Sequence, residues 1–136
     1  MDTLLNLINS VHKLPSGISV VNTTPHEITF FEEGNEDNKE VVPPCGVSVS
    51  AQISETVVAE VGKVTFVTTR FKADAEMREI LQKVKNLYPD VVVIGSIIAA
   101  QAFPGLVVAM VAAPGFERVA PSEKRMLQNK FTTFGE

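Results

Sequence analysis

The chain has 136 residues, 45% of them apolar and 21% charged, with a formal net charge of −4, a single cysteine and no tryptophan. That composition excludes a wholly disordered chain, and the length predicts one domain able to bury about 68% of the surface its unfolded form exposes. It also excludes a protein that grips nucleic acid through phosphates, because no basic stripe runs along the sequence and the nearest approach to one is Lys124, Arg125 and Lys130.

In chain order, Asp2 to Val11 reads as a short amphipathic helix with Leu4, Leu7, Ile8 and Val11 on one face, suited equally to its own domain or to a partner subunit. Ile18 to Asn22 is a strand, Thr23-Thr24-Pro25 forces a turn, and Glu27 to Glu32 is a second strand. A polar turn over 34–39 leads to a third strand at Lys39 to Val42, which Pro43-Pro44 ends. Val47 to Ile53 alternates apolar and polar residues, the pattern of a half-buried antiparallel strand. Thr56 to Val61 and Val64 to Phe71 form a hairpin through Gly62-Lys63, whose Gly-X order suits a type II′ turn, with the Phe66 face expected toward the core.

Asp74 to Tyr88 repeats Met77, Ile80, Leu81, Val84, Leu87 and Tyr88 at helical spacing, with Asp74 as N-cap and Pro89 as the stop. From Val91 to Phe116 there is no charge. A bilayer span needs about 20 apolar residues, but Gly95-Ser96 and Pro104-Gly105 punctuate this stretch as strand and turn boundaries. It reads as a buried strand at 91–95, a helix at 97–103 and a buried strand at 106–112, the two strands being parallel neighbours. In the tail, Ser122 caps a short helix through Asn129, and Lys130 to Phe134 is a final extended segment at an edge or across a subunit. The expected fold is a single domain of mixed α/β class: a mixed, largely antiparallel sheet, two to four helices and the buried strand-helix-strand unit, with residues 1–14 as an N-terminal helix and 115–136 as a tail.

Asn22-Thr23-Thr24-Pro25-His26 is the densest polar cluster beside apolar strands. A histidine is the side chain best suited to proton transfer at neutral pH, and Asn22 and Thr24 could orient a ligand beside His26. The same residues also make an ordinary turn, in which Thr hydroxyls bond local backbone and Pro25 fixes a bend. Gly95 and Ser96 offer backbone N–H groups before a helix, where anions gather, although neither a GxGxxG nor a P-loop pattern is present and Ser96 makes an ordinary N-cap. Arg70 and Arg118 are the cations best placed to clamp an anion, with ion pairing to Glu55, Glu60 or Glu117 as the plainer role. Cys45 would be a nucleophile only if its thiolate were stabilised. His12 and His26 are the only histidines and have no ligand spacing, so neither a metal nor a cofactor is expected.

The segments NTTPHEITFF at 22–31, a proline-ended strand followed by VSVSAQISET, and GSIIAAQAFPG at 95–105 together resemble a family of small uncharacterised proteins of phages, bacteria and some fungi. Its members open with a strand ending in Asn-(Leu or Thr)-Thr-Pro-His. The likeness runs from about residue 18 onward, while the first helix and the Lys72–Leu87 insertion depart from the shorter members. It implies a shared fold and no catalytic assignment, and it adds weight to Asn22, Pro25 and His26.

Two functions follow as expectations. The first is a non-enzymatic binding or assembly module that self-associates, forming a homo-oligomer, and that takes a partner or small anionic ligand. The alternative is a small hydrolase or transferase acting on a phosphate- or carboxylate-bearing substrate, with His26 as acid and base, the Gly95-Ser96 backbone as cradle and Arg70 or Arg118 as clamp. No nucleic-acid or membrane partner is expected. With one cysteine and no basic, cleavable leader, the expected location is cytoplasmic.

Overall fold

The structure, a computed structural model, describes residues 2–32, 35–120 and 123–135, and of positions 2, 32 and 35–38 the backbone alone. The leading apolar repeat forms helix α1 (Asp2–Asn9), which buries Leu7 and rests Leu4 against the chain's own core and α2, so it packs on its own domain. The strands β1 (His12–Lys13), β2 (Ser19–Asn22), β3 (Ile28–Glu32) and β4 (Asn35–Val42) follow. Next come β5 (Gln52–Val61) and β6 (Val64–Lys72), then α2 (Ala75–Leu87), β7 (Val91–Gly95), α3 (Ile97–Ala102), β8 (Val108–Ala112) and β9 (Met126–Thr132). No helix among the described residues is long and apolar enough to cross a membrane.

Seven strands make one sheet in the order β1-β2-β7-β8-β9-β3-β4, and β5 and β6 stand apart as a two-stranded ribbon. The large sheet curls until it is nearly a barrel. Its two edges meet: His12 Nε2 on β1 lies 3.1 Å from Glu40 Oε1 on β4, and Asn22 Nδ2 on β2 donates to the Val42 carbonyl at 3.1 Å. The contacts are made by side chains, and β1 and β4 remain the two ends of the hydrogen-bonded strand order.

The uncharged stretch from Val91 sits at the centre of this sheet. β7 lies between β2 and β8, parallel to both, with Ile94 opposite Val108 and Gly95 opposite Ala109. Its side chains alternate between two cores. Ile94 points inward with Leu14, Val20, Ile28, Phe30 and Val42, which fill the barrel. Val93 points outward to Val21, Leu81, Val84, Ala99, Ala100, Phe103 and Val107, under the helices. A strand covered on both faces has no room for a polar alternation, which explains the unbroken Val91–Ile94 run. A third, smaller cluster of Phe31, Ala113 and Leu127 closes the outer face near β9. The helix spacing holds over its first three turns: Asp74 caps α2 by accepting from the Met77 N–H at 3.0 Å, Leu81 and Val84 are buried and Met77 and Ile80 pack against the outer core, whereas Leu87 and Tyr88 at its end are exposed.

Several expectations are corrected. The sheet is mixed, as expected, but only in part antiparallel: β1–β2, β3–β4 and β8–β9 are antiparallel, while β2–β7, β7–β8 and β3–β9 are parallel. The segment 34–39 is not a turn from Asn35 onward: β4 begins there, pairing with β3. The alternation expected over Val47 to Ile53 holds in burial only as far as Ala51, with Val49 buried and Val47 and Ala51 against the outer core, whereas Ile53 is exposed; residues 47–51 join no ladder and the strand starts at Gln52. Among the described residues of the tail, no helix runs through Asn129. β9 begins at Met126 and lies inside the sheet between β8 and β3, with Met126 turned to the barrel interior and Leu127 outward. Tertiary demand for a strand in that gap outweighs the helix propensity of Met, Leu, Gln and Lys. Ser122 lies outside the described residues.

The largest correction concerns β5 and β6. The turn forms as expected, with Gly62 at φ +62° and no positive φ at Lys63, as a type II′ turn requires. Yet neither face of the ribbon is a core face: Phe66 is 50% exposed, and every residue from Glu55 to Arg70 is exposed. Only Phe71, at the base, packs into the outer core. The ribbon is an arm.

Candidate functional site

The Asn22–His26 turn is assembled around one side chain. Asn22 is fully buried at the end of β2, where its Nδ2 donates to the carbonyls of His26 at 2.8 Å and Val42 at 3.1 Å. Its Oδ1 accepts from the Thr24 N–H at 2.9 Å and lies 2.6 Å from Thr24 Oγ1. Thr23 Oγ1 donates to the Ile94 carbonyl at 2.7 Å, tying the turn to β7. Asn22, Thr23 and Thr24 therefore spend their polar atoms on the fold, as a buried polar group must. Of the motif, His26 alone presents a ring at the surface with no hydrogen bond among the described residues.

His26 lines a cleft of about 210 Å³ with Glu27, Thr29 and Lys124, over Ile28, Met110 and Met126. The cleft includes Thr24 but none of Gly95, Ser96, Arg70 or Arg118. Gly95 is buried, and a Cβ there would lie 2.7 Å from Val107 Cγ1 and 3.3 Å from Thr23 Oγ1, so its lack of a side chain serves close packing between strands. Ser96 Oγ accepts from the Ala99 N–H at 3.1 Å and caps α3. Arg70 stands on the arm and Arg118 on the exposed loop after β8. The residues read from the sequence as one ligand site are thus dispersed: Asn22, Thr24 and His26 cluster, and Gly95, Ser96, Arg70 and Arg118 do not join them in that cleft.

Cys45 is half-buried behind the same turn, its N–H donating to the Asn22 carbonyl at 2.8 Å and its Sγ accepting from the Val47 N–H at 3.4 Å. Burial pushes the thiol up from its ordinary range, against the smaller opposing pull of the backbone contacts at Val47 and at Cys45 itself. A raised thiol pKa disfavours the thiolate that nucleophilic chemistry needs. Iodoacetamide should therefore label Cys45 more slowly at neutral pH than it labels a free thiol. The same shift has a sign for stability: the folded state holds the proton more tightly, so stability contributed by this group is lost as pH rises past the unfolded thiol's pKa. Labelling faster than the free thiol would reinstate the nucleophile.

A second cleft, of about 290 Å³, runs beside α2 between Arg78, Gln82, Lys85, Gly105, Leu106 and Phe134. The sequence signal for it is the spacing of Arg78, Gln82 and Lys85 by four and three, which places them on one helix face. Its cations are engaged: Lys85 Nζ donates to the Gly105 carbonyl at 2.8 Å, and Arg78 also has a partner. Among the described residues no three His, Cys, Asp or Glu side chains converge as a metal site would need.

The arm is the remaining feature. Among the described residues, Ile53, Val57, Val58, Val61, Val64, Phe66 and Val67 are half of the large apolar side chains left exposed, so the chain's unpaid apolar surface is concentrated on one element. Its register assigns them to faces, because residues directly opposite in an antiparallel pair point the same way. Ile53 lies opposite Phe71, Glu55 opposite Thr69, Val57 opposite Val67 and Glu60 opposite Thr65. On the other face Gln52 lies opposite Lys72, Ser54 opposite Arg70, Ala59 opposite Phe66 and Val61 opposite Val64. A bulge between Val57 and Ala59 absorbs Val58 and keeps the alternation in step with β6.

No family model, no curated protein and no solved structure matches this chain.

Proposed function

We propose that the protein is a non-enzymatic assembly module whose working surface is the β5–β6 arm. The observation that carries this reading is the exposure of apolar side chains on both faces of the ribbon, with Ile53 and Val61 each 66% exposed, Val58 62% and Val57 58%. A lone two-stranded hairpin is marginal in water, and contiguous apolar surface beyond a few hundred Å² marks a surface meant to be covered. The enzymatic alternative has less support. Its proposed anion cradle at Gly95-Ser96 is taken up by packing and capping, its clamps stand outside the His26 cleft, and among the described residues no orienting hydrogen bond reaches the His26 ring.

The test is a variant with Val57→Thr, Val58→Thr, Val61→Thr and Phe66→Thr, which keeps β-branched residues for the strand while removing apolar surface. Sedimentation velocity should show the native chain associating as concentration rises and the variant remaining monomeric, with little change in thermal unfolding of the monomer. Equal association by both proteins would remove the arm from the account.

A further inference from the structure

The two faces of the arm carry opposite charge. Glu55 and Glu60 share the face of Ile53, Val57 and Val67, whereas Arg70 and Lys72 share the face of Val61, Val64 and Phe66. All four charged side chains are exposed, and among the described residues none forms an ion pair within the single chain. Building on the assembly reading above, we propose that the occupant of the arm is a second copy of this chain, docked head to tail, with the acidic face of one arm stacked on the basic face of the next.

The complementarity resides in two faces of one element, which is why the partner is another copy. Stacking like face on like face would bring Glu55 and Glu60 against their own kind, or Arg70 and Lys72 against theirs, and like charges placed together across an interface oppose association. Stacking unlike faces aligns carboxylates with guanidinium and ammonium groups around a shared apolar centre, and aromatic and β-branched side chains of neighbouring sheets then interdigitate at about 10 Å spacing. A contact between different faces leaves one of each unused at the two ends, so it propagates into a ring or an open filament rather than stopping at a dimer. The footprint is small: ten residues at ~3.3 Å rise and two strands at ~4.8 Å spacing give about 320 Å² of sheet face per partner. That is below the usual size of a stable interface, so each contact is weak and the assembly forms at high concentration and low salt.

The experiment uses the full chain in two charge-reversed forms, Glu55→Lys with Glu60→Lys and Arg70→Glu with Lys72→Glu. By sedimentation velocity each form alone should associate roughly tenfold or more weakly than the native chain, since both of its faces now carry one sign. An equimolar mixture should regain association, because the wholly basic arm of one form fits the wholly acidic arm of the other. Should either reversed form fold poorly by circular dichroism, Glu55→Gln with Glu60→Gln and Arg70→Gln with Lys72→Gln should each weaken association and flatten its dependence on salt. If the native chain associates but mixing restores nothing, or if one reversed form associates as well as the native chain, the head-to-tail arrangement is overturned while the arm remains an assembly surface. A native chain that stays monomeric overturns both.

Discussion

Asn22→Ala should lower the unfolding free energy by about 3 kcal/mol, measured by urea titration, because it removes a fully buried side chain engaged through both its nitrogen and its oxygen. The cost comes mainly from what is left behind. The Val42 carbonyl loses a donor inside the protein, the Thr24 N–H loses its acceptor, and β2 loses its tie to the end of β4 where the sheet closes on itself. Asn22→Asp is the informative companion. It keeps the acceptor for Thr24 but turns a carboxylate oxygen toward the carbonyls of His26 and Val42, so it should also destabilise. A loss below about 0.5 kcal/mol for Asn22→Ala, the range of surface substitutions, would contradict the structural role of the motif.

Phe30→Ala should cost about 3–5 kcal/mol, whereas Phe66→Ala should change monomer stability by less than about 0.5 kcal/mol. Phe30 is fully buried inside the barrel with its ring centroid 6.1 Å from that of Phe131, and its loss opens a cavity among Leu14, Val20, Ile94 and their neighbours. Phe66 leaves no cavity because half of it already faces water. Measuring both by denaturant unfolding separates barrel from arm. Similar losses for the two would mean that the arm is packed as a core element.

What was legible in the sequence follows from how local each signal is. The α2 helix has its cap, its apolar period and its stop within one continuous stretch, and Asp74, Leu81 and Val84 take the expected places. The strand-helix-strand unit at Val91–Ala112 was legible for the same reason, as was the parallel pairing of β7 with β8, since an uninterrupted β-branched run implies cover on both faces. The short β1 strand, the closing of the sheet and the place of β9 were not. His12 finds Glu40, and Ser16 finds Gln128 across 112 positions, only once the whole sheet has curled. The arm departs from expectation because Val64, Phe66 and Val67 read as core residues of a β-rich run, and a run of that kind does not record that the hairpin stands clear of the sheet with these side chains exposed. The NTTPH cluster stood out by its polarity. Its chemistry is mostly internal, since Asn22 and Thr23 serve the fold and the His26 ring is left at the mouth of a cleft.

Hydrogen–deuterium exchange of the native chain at low and high protein concentration tests the assembly role of the arm most directly. Backbone amides between Gln52 and Lys72 lie in a ribbon whose two outer edges and two faces are open in the single chain. The account predicts that peptides from 52–72 gain protection as concentration rises while those from the barrel strands β2, β3 and β7 do not change. Exchange in 52–72 that is the same at both concentrations would contradict it.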